Sequence, residues 1–391
     1  MELFFDLVYV FAITHVTKVV ADEPSIGVAR GGVILALLWW VWVCYAWLGN
    51  AVRADEGVVR IAMFAAAMIM YLVASAIPEA FVDTPGVLHG PLLLITCYLA
   101  VRMLHALTYW YVSRDGRSRQ LLGATGPALV ASALLVCAAL VPRLTDDRLW
   151  INVGQDLLWL FAIVVEFGAG FAILKGWQIR SAKMWADRHK IIIIIALGEA
   201  FLALGLGGTE IPISWTLIVA DLLGIAVSAT LWWAYFDIPA LAGERALQRS
   251  SGAARVALAR DAYSYLHLPM IAGIVLFSLG LKKTLDFVKH LEEHGMGARL
   301  DSVGLGAMYI GVIIYLLGGS AFQLRTTGRA SGPRVGAAVL LAALIPLAAR
   351  VPAFVAFGML AAVAVGFIAV EVVHFKATRR ELHESLLREE Q

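Results

Sequence analysis

The sequence predicts an all-α protein, a polytopic bundle of about twelve helices that cross a lipid bilayer. Three observations predict it. Of 391 residues, 61% are hydrophobic and only 15% charged, whereas soluble domains run to about 45–50% apolar and about 25% charged. Mean hydropathy is +0.80. The apolar residues also come in blocks of about 20, the length that crosses about 30 Å of hydrocarbon at about 1.5 Å per helical residue.

Blocks bounded by charged or Gly- and Pro-rich breaks begin near Glu2, Val28, Val58, Leu88, Leu121 and Leu149, and again near Lys190, Ser214, Tyr263, Ser302, Gly336 and Pro352. The first block does not read as a removable signal, because Glu2 and Asp6 are acidic where a signal carries positive charge. The last block runs into a charged stretch, Lys376 to Gln391, that reads as a surface helix.

This order divides the chain into a first six-helix half over 1–187, a second over 188–375 and a charged cytoplasmic tail helix over 376–391. The halves are expected to be parallel repeats. Trp39, Trp40 and Trp42 in the second span correspond in spacing to Trp232, Trp233 and Tyr235 in the eighth, six spans later, and an even offset keeps two repeats parallel. The alternative is that such rings recur because they settle at membrane interfaces.

Orientation follows from lysine and arginine, which are retained on the cytoplasmic side during insertion. The even-numbered connections are rich in them, with Arg53 and Arg60, then Arg114, Arg117 and Arg119, then Lys175, Arg180, Lys183, Arg188 and Lys190. Arg245, Arg249, Arg255 and Arg260 follow, then Arg325, Arg329 and Arg334. The third and seventh connections hold none. Other odd connections carry Arg30, Arg143 with Arg148, Arg350, and Lys282, Lys283 and Lys289. The balance predicts that both termini lie on the cytoplasmic side of the membrane.

A net charge of +2 with no basic run interleaved with aromatics gives no nucleic-acid surface. Membrane lipids and an unidentified small solute are the partners expected. Cys44, Cys97 and Cys137 each lie in an apolar block, outside any metal-ligand spacing. No dinucleotide, phosphate-loop, zinc-protease or haem-attachment motif occurs, so neither metal nor cofactor is expected.

An ionisable group at the bilayer centre costs about 2.5–3.5 kcal/mol on insertion scales, so each one needs a partner, a wet cavity or a task. The candidates for solute or proton binding are Asp6, Tyr98, Arg102, His105, Asp156, Glu166, His189, Glu199, Tyr263 and His267. Tyr98, Arg102, His105 and Tyr109 recur at helical spacing and fall along one stripe. Arg102 keeps its charge at any relevant pH and calls for a carboxylate, with Asp6, Asp156, Glu166 or Glu199 to choose from. Glu199 stands between Gly198 and Ala200, small neighbours that permit close helix approach. Pro269, just after Tyr263 and His267, removes a backbone donor and predicts a kink.

Three segments, ELFFDLVYVFAITHVT at the start, RHKIIIIIALGEAF from Arg188 and YSYLHLPMIAGI from Tyr263, resemble the bacterial low temperature requirement A (LtrA) family. The segment from Tyr98 to Arg102 is a weaker fourth match. The resemblance implies a bacterial membrane protein whose motif positions include Glu2, Asp6, Arg102, Arg188, His189, Glu199, Tyr263 and His267. It supplies no activity, since the family name records a growth trait. Three functions fit the residues: a proton-coupled solute transporter, an intramembrane enzyme acting on a lipid or isoprenoid, or a structural or sensing protein whose polar residues join helices.

Overall fold

The computed structural model describes residues 2–22, 24–51, 57–82, 88–112, 118–144, 147–173, 178–209, 211–291, 295–374 and 376. Among these there are helices and turns but no strand. The predicted tail helix, beyond Lys376, lies outside the described residues, as do Arg53, Arg114, Arg117 and Lys175.

The chain divides into two compact units, Met1–Ser181 and Ala182–Gln391. The first contains α1 (Glu2–Asp22), α2 (Pro24–Ala51), α3 (Gly57–Ala76), α4 (Gly90–Val112), α5 (Ser118–Leu144) and α6 (Arg148–Ile173). The second contains α7 (Ala182–Gly208), α8 (Trp215–Phe236), α9 (Pro239–Arg249), α10 (Gly252–Leu258), a π-helical turn (Ala259–Tyr265), α11 (His267–Lys289), α12 (Ser302–Thr327), α13 (Gly332–Ala348) and α14 (Ala353–His374).

Eleven helical segments among the described residues are long and apolar enough to cross a membrane. The twelfth apolar helix, α13, has 17 residues, roughly 25 Å, and falls short of a hydrocarbon layer of about 30 Å. Helix α7 opens at Ala182 rather than near Lys190, because Lys183, Asp187 and Arg188 ride on its first turns. The stretch between α8 and α11, expected to be a connection, folds instead into α9, α10 and the π-helical turn.

Within each unit the helices meet in the same order. In the first, α1 packs on α2 and α3, α3 on α4, α4 on α5, α5 on α6, and α6 returns to α2. In the second, α7 packs on α8 and α11, α11 on α12, α12 on α13, α13 on α14, and α14 returns to α8. In the first unit α2 is the central helix, with Trp39, Trp40, Trp42, Tyr45 and Trp47 all buried.

Glycines set the closest approach in the second unit. A Cβ built on Gly273 of α11 would come within 2.6 Å of the Gly311 carbonyl oxygen of α12, and one on Gly311 would come equally close to the Gly273 carbonyl. Gly280 of α11 and Gly318 of α12 meet Met308 and Met270 in the same way. Lipid tails provide no hydrophobic drive between helices, so backbone-to-backbone packing of this kind is what binds them.

Several cations assigned to connections lie on helices instead. Arg30 is buried on α2, Arg334 is buried on α13, and Lys282, Lys283 and Lys289 belong to α11. A long basic side chain stays inside a bundle when a carboxylate meets it, and counting charges along a sequence cannot see that pairing.

Candidate functional site

The predicted site residues separate between the two units. Asp6, Tyr98, Arg102, His105, Asp156 and Glu166 lie in the first, and His189, Glu199, Tyr263 and His267 in the second.

In the first unit the α4 stripe meets α6. Arg102 Nη2 donates to Glu166 Oε2 at 2.8 Å and Arg102 Nε to Oε1 at 3.2 Å, a two-pronged pair between wholly buried groups. Tyr98 donates its hydroxyl to the same Oε1 at 2.6 Å. Of the four carboxylates open to Arg102, Glu166 is the partner. The remaining guanidinium nitrogen, Nη1, donates to Cys44 Sγ at 2.6 Å, and His105 donates from Nε2 to the Cys44 carbonyl at 3.1 Å. Arg102 thereby fastens α4 to both α2 and α6.

Asp6 is also wholly buried and accepts a hydrogen bond from Trp42 Nε1 at 2.7 Å. Asp156 is half-exposed and answers Arg30, whose Nε reaches it at 3.1 Å while Nη2 donates to Asn152 Oδ1 at 3.2 Å. The Arg30 guanidinium also lies 4.6 Å above the Phe81 ring centroid, a cation–π contact.

In the second unit Glu199 of α7 is 0% exposed and Lys282 Nζ of α11 donates to its Oε1 at 2.8 Å. Ten residues earlier on α7, about 15 Å along its axis, His189 converges with Tyr263 and His267. The His189 ring centroid lies 5.0 Å from both Tyr263 and His267, and Tyr263 stacks on His267 at 5.3 Å. Tyr235 of α8 joins them, its hydroxyl 2.8 Å from His267 Nε2.

Proton positions on both imidazoles follow from their partners. A carbonyl only accepts, so His189 donates from Nδ1 to Trp185 O at 2.9 Å and His267 from Nδ1 to Ala262 O at 3.1 Å. In a neutral ring Nε2 is then the acceptor, and Tyr235 donates to His267. Ahead of Pro269, which lies in the first turn of α11, the chain forms the π-helical turn, after which Leu266 N reaches back to Asp261 O at 3.2 Å. Turns of this type occur often at functional sites.

At the neighbouring end of α7, Lys190 Nζ bridges Asp187 Oδ1 at 2.8 Å and Glu244 Oε2 of α9 at 2.6 Å. Among the described residues, no group of three His, Cys, Asp or Glu side chains converges as a metal site requires.

The family model for bacterial low temperature requirement A protein (LtrA) matches residues 1–369. The chain belongs to the LtrA family. It is also 28% identical over 302 residues to an uncharacterized protein of Rhizobium meliloti, an alignment covering 71% of this chain and 67% of that one. No solved structure matches it. With its spanning helices, this LtrA protein is a multi-pass membrane protein.

The LtrA segments carry the geometry just described. The opening segment holds Asp6, the segment from Arg188 holds His189, Lys190 and Glu199, and the segment from Tyr263 holds Tyr263 and His267. Sequence reasoning missed several partners. Lys282 was assigned to a connection, although it interrupts an apolar run that begins at His267 and so signalled a buried acid nearby. Trp42 and Tyr235 were noticed only as part of an aromatic pattern. Arg334, which pairs with Glu371 at 2.8 Å and donates to the Ala234 carbonyl, was assigned to a connection as well, although Glu371, itself accepting from Ser331 Oγ, holds it inside the second unit.

Proposed function

We propose that this LtrA protein transports a small solute across the bacterial inner membrane, coupled to protons, with both termini cytoplasmic and its two units acting as parallel repeats. One observation carries the proposal, the Glu199–Lys282 pair. A guanidinium never gives up its proton in a protein, whereas an ammonium does when desolvated. Transfer of one proton from Lys282 to Glu199 turns an ion pair into two neutral groups, which costs little inside a bilayer compared with moving a lone charge. Lys282 is 27% exposed, so the pair is not sealed off.

The repeat reading is supported from two sides. Each unit orders its six long helices in the same sequence of contacts. One constant shift in numbering carries Asp6 onto Glu199, Gly31 onto Gly224, Trp39 onto Trp232, Trp40 onto Trp233 and Trp42 onto Tyr235. Gly31 meets Val20 of α1, and Gly224 meets Leu204 of α7, so the small residue does the same work in both units.

The test is a solute screen in proteoliposomes under an imposed pH gradient. Gradient-driven accumulation of at least one solute is expected, and Glu199→Gln should lower it by roughly tenfold or more. A screen that finds no flux, or a flux that Glu199→Gln leaves unchanged, overturns the proposal.

A second reading has its own observation. The Tyr235 hydroxyl set against His267 Nε2 at 2.8 Å is a phenol–imidazole pair suited to acid–base work on a lipid or isoprenoid. It requires turnover of lipid by the purified protein. A lipid profile unchanged at low temperature on deletion of the gene excludes it.

A further inference from the structure

Between α8 and α11, where the first unit passes from α2 to α3 with only residues 52–56 intervening, the second unit inserts α9, α10 and the π-helical turn. Helix α9 is short and two-faced. Pro239, Ala240, Gly243 and Leu247 are buried, Gln248 and Arg249 are exposed, and Glu244 lies at the border between the two faces. It packs on α7, α8 and α12.

Directly beneath it lies an unsatisfied group. Tyr263 is 1% exposed, and its hydroxyl finds no hydrogen-bond partner among the described residues. A buried hydroxyl without a partner is destabilising, so one kept in a native protein calls for an explanation. The hydroxyl faces α9 itself, since a Cβ built on Gly243 would stand 2.9 Å from it and 2.6 Å from Phe322 Cζ. Only glycine lets α9 lie this close. Gln323, next along α12 from Phe322, holds a second buried acceptor, Oε1, with no partner among the described residues.

Both ends of α9 are built to bend. At its start α8 gives way to a turn at Asp237 and Ile238 followed by Pro239, which cannot continue a helical hydrogen-bond ladder. At its end Ser250 and Ser251 are extended and Gly252 has φ +53°, a left-handed backbone suited to glycine. Glu244 ties the helix down by charge, its Oε2 accepting from Lys190 Nζ at 2.6 Å. Lys190 is shared with Asp187 at 2.8 Å, so the latch releases without stranding its cation.

We propose that α9 is a hinged gate, latched by Glu244 to Lys190, over a binding site for a small polar guest centred on the Tyr263 hydroxyl and walled by His189, His267 and Phe322. The guest carries a hydrogen-bonding group that meets the Tyr263 phenol, which can both donate and accept. That it is the transported solute rests on the transport reading; the gate itself does not.

Hydrogen exchange in lipid nanodiscs tests the gate with Tyr263 in place. Glu244→Gln should speed exchange of the amides of 239–252 by roughly tenfold or more while those of α7 and α12 hold their rates. No change, or a rise spread across the whole second unit, overturns the proposal, since the ion pair is then only structural. A second measurement follows attachment of a membrane-impermeant methanethiosulfonate reagent at position 263 of Tyr263→Cys by peptide mass. Labelling roughly tenfold faster with Glu244→Gln added supports the gate, and equal rates refute it. If both rates rise while no solute moves under a pH gradient, the gate stands and the transport reading falls.

Discussion

Glu166 in the first unit and Glu199 in the second are both wholly buried carboxylates on spanning helices, yet they are neutralised differently. Glu166 faces a guanidinium, which grips both its oxygens, and a tyrosine besides. Glu199 faces an ammonium with a partly exposed stem. The first arrangement fixes geometry, because a planar fork holds a carboxylate at two points and keeps its charge. The second brings Lys282 Nζ to Glu199 Oε1, a compact charge on a flexible stem in place of a planar fork. Two units with the same order of helix contacts have thus set a guanidinium fork against the acid in one and an ammonium against it in the other.

The strongest way to break this contrast is to remove the static acid. Glu166→Ala strands Arg102 in the interior, for which the loss is about 3–5 kcal/mol, and the yield of folded protein and its thermal midpoint in nanodiscs should both drop sharply. If the midpoint does not move, Arg102 has another way to be satisfied and the first unit is not locked as described.

Next in size is Gly273→Val. Its side chain would press on the Gly311 carbonyl and the Tyr315 backbone, backbone atoms that have little room to move, and overpacking of that kind costs about 1–3 kcal/mol. Thermal unfolding should show that loss, and an equally large loss from Gly205→Val, where the ideal Cβ meets nothing within 4 Å, would mean that close approach is not the cause.

Lys282→Arg sharpens the comparison most directly, since it gives the second unit the chemistry of the first. Stability should stay within about 1 kcal/mol, because a cation still meets Glu199. Proton-coupled flux should nevertheless fall by roughly tenfold, or about 1.4 kcal/mol in barrier. Unaltered flux would show that the ammonium proton takes no part.

The smallest effect expected is that of Tyr235→Phe, which removes one neutral hydrogen bond to His267. The loss should be about 0.5–1.5 kcal/mol in thermal unfolding, with any shift in the pH dependence of flux reporting on His267 itself.

The spans were legible because lipid imposes length and apolarity on every crossing helix, and both properties survive in a linear sequence. Helix α9 was not legible, since eleven residues with four charged or amide side chains have neither. The carboxylate opposite Arg102 was narrowed to four residues and no further, because periodicity gives the face of a helix but not what that face meets across the bundle. Arg30, Lys282 and Arg334 were misassigned for the converse reason: their charge suggested water, and their partners Asp156, Glu199 and Glu371 come from distant segments. The candidate residues of both units were named, while the hydroxyl beneath α9 became significant only when its surroundings were known.

The glycine contacts between α11 and α12 have a bearing on temperature. Burial driven by water weakens on cooling, because its free energy is largely entropic near ambient conditions. Contact between the Gly273 and Gly311 backbones draws on dispersion and on Cα–H groups meeting carbonyl oxygens, neither of which depends on the ordering of solvent. Two rods joined this way stay joined in the cold, and whatever bends in the second unit as the surroundings chill has to bend somewhere other than along that seam.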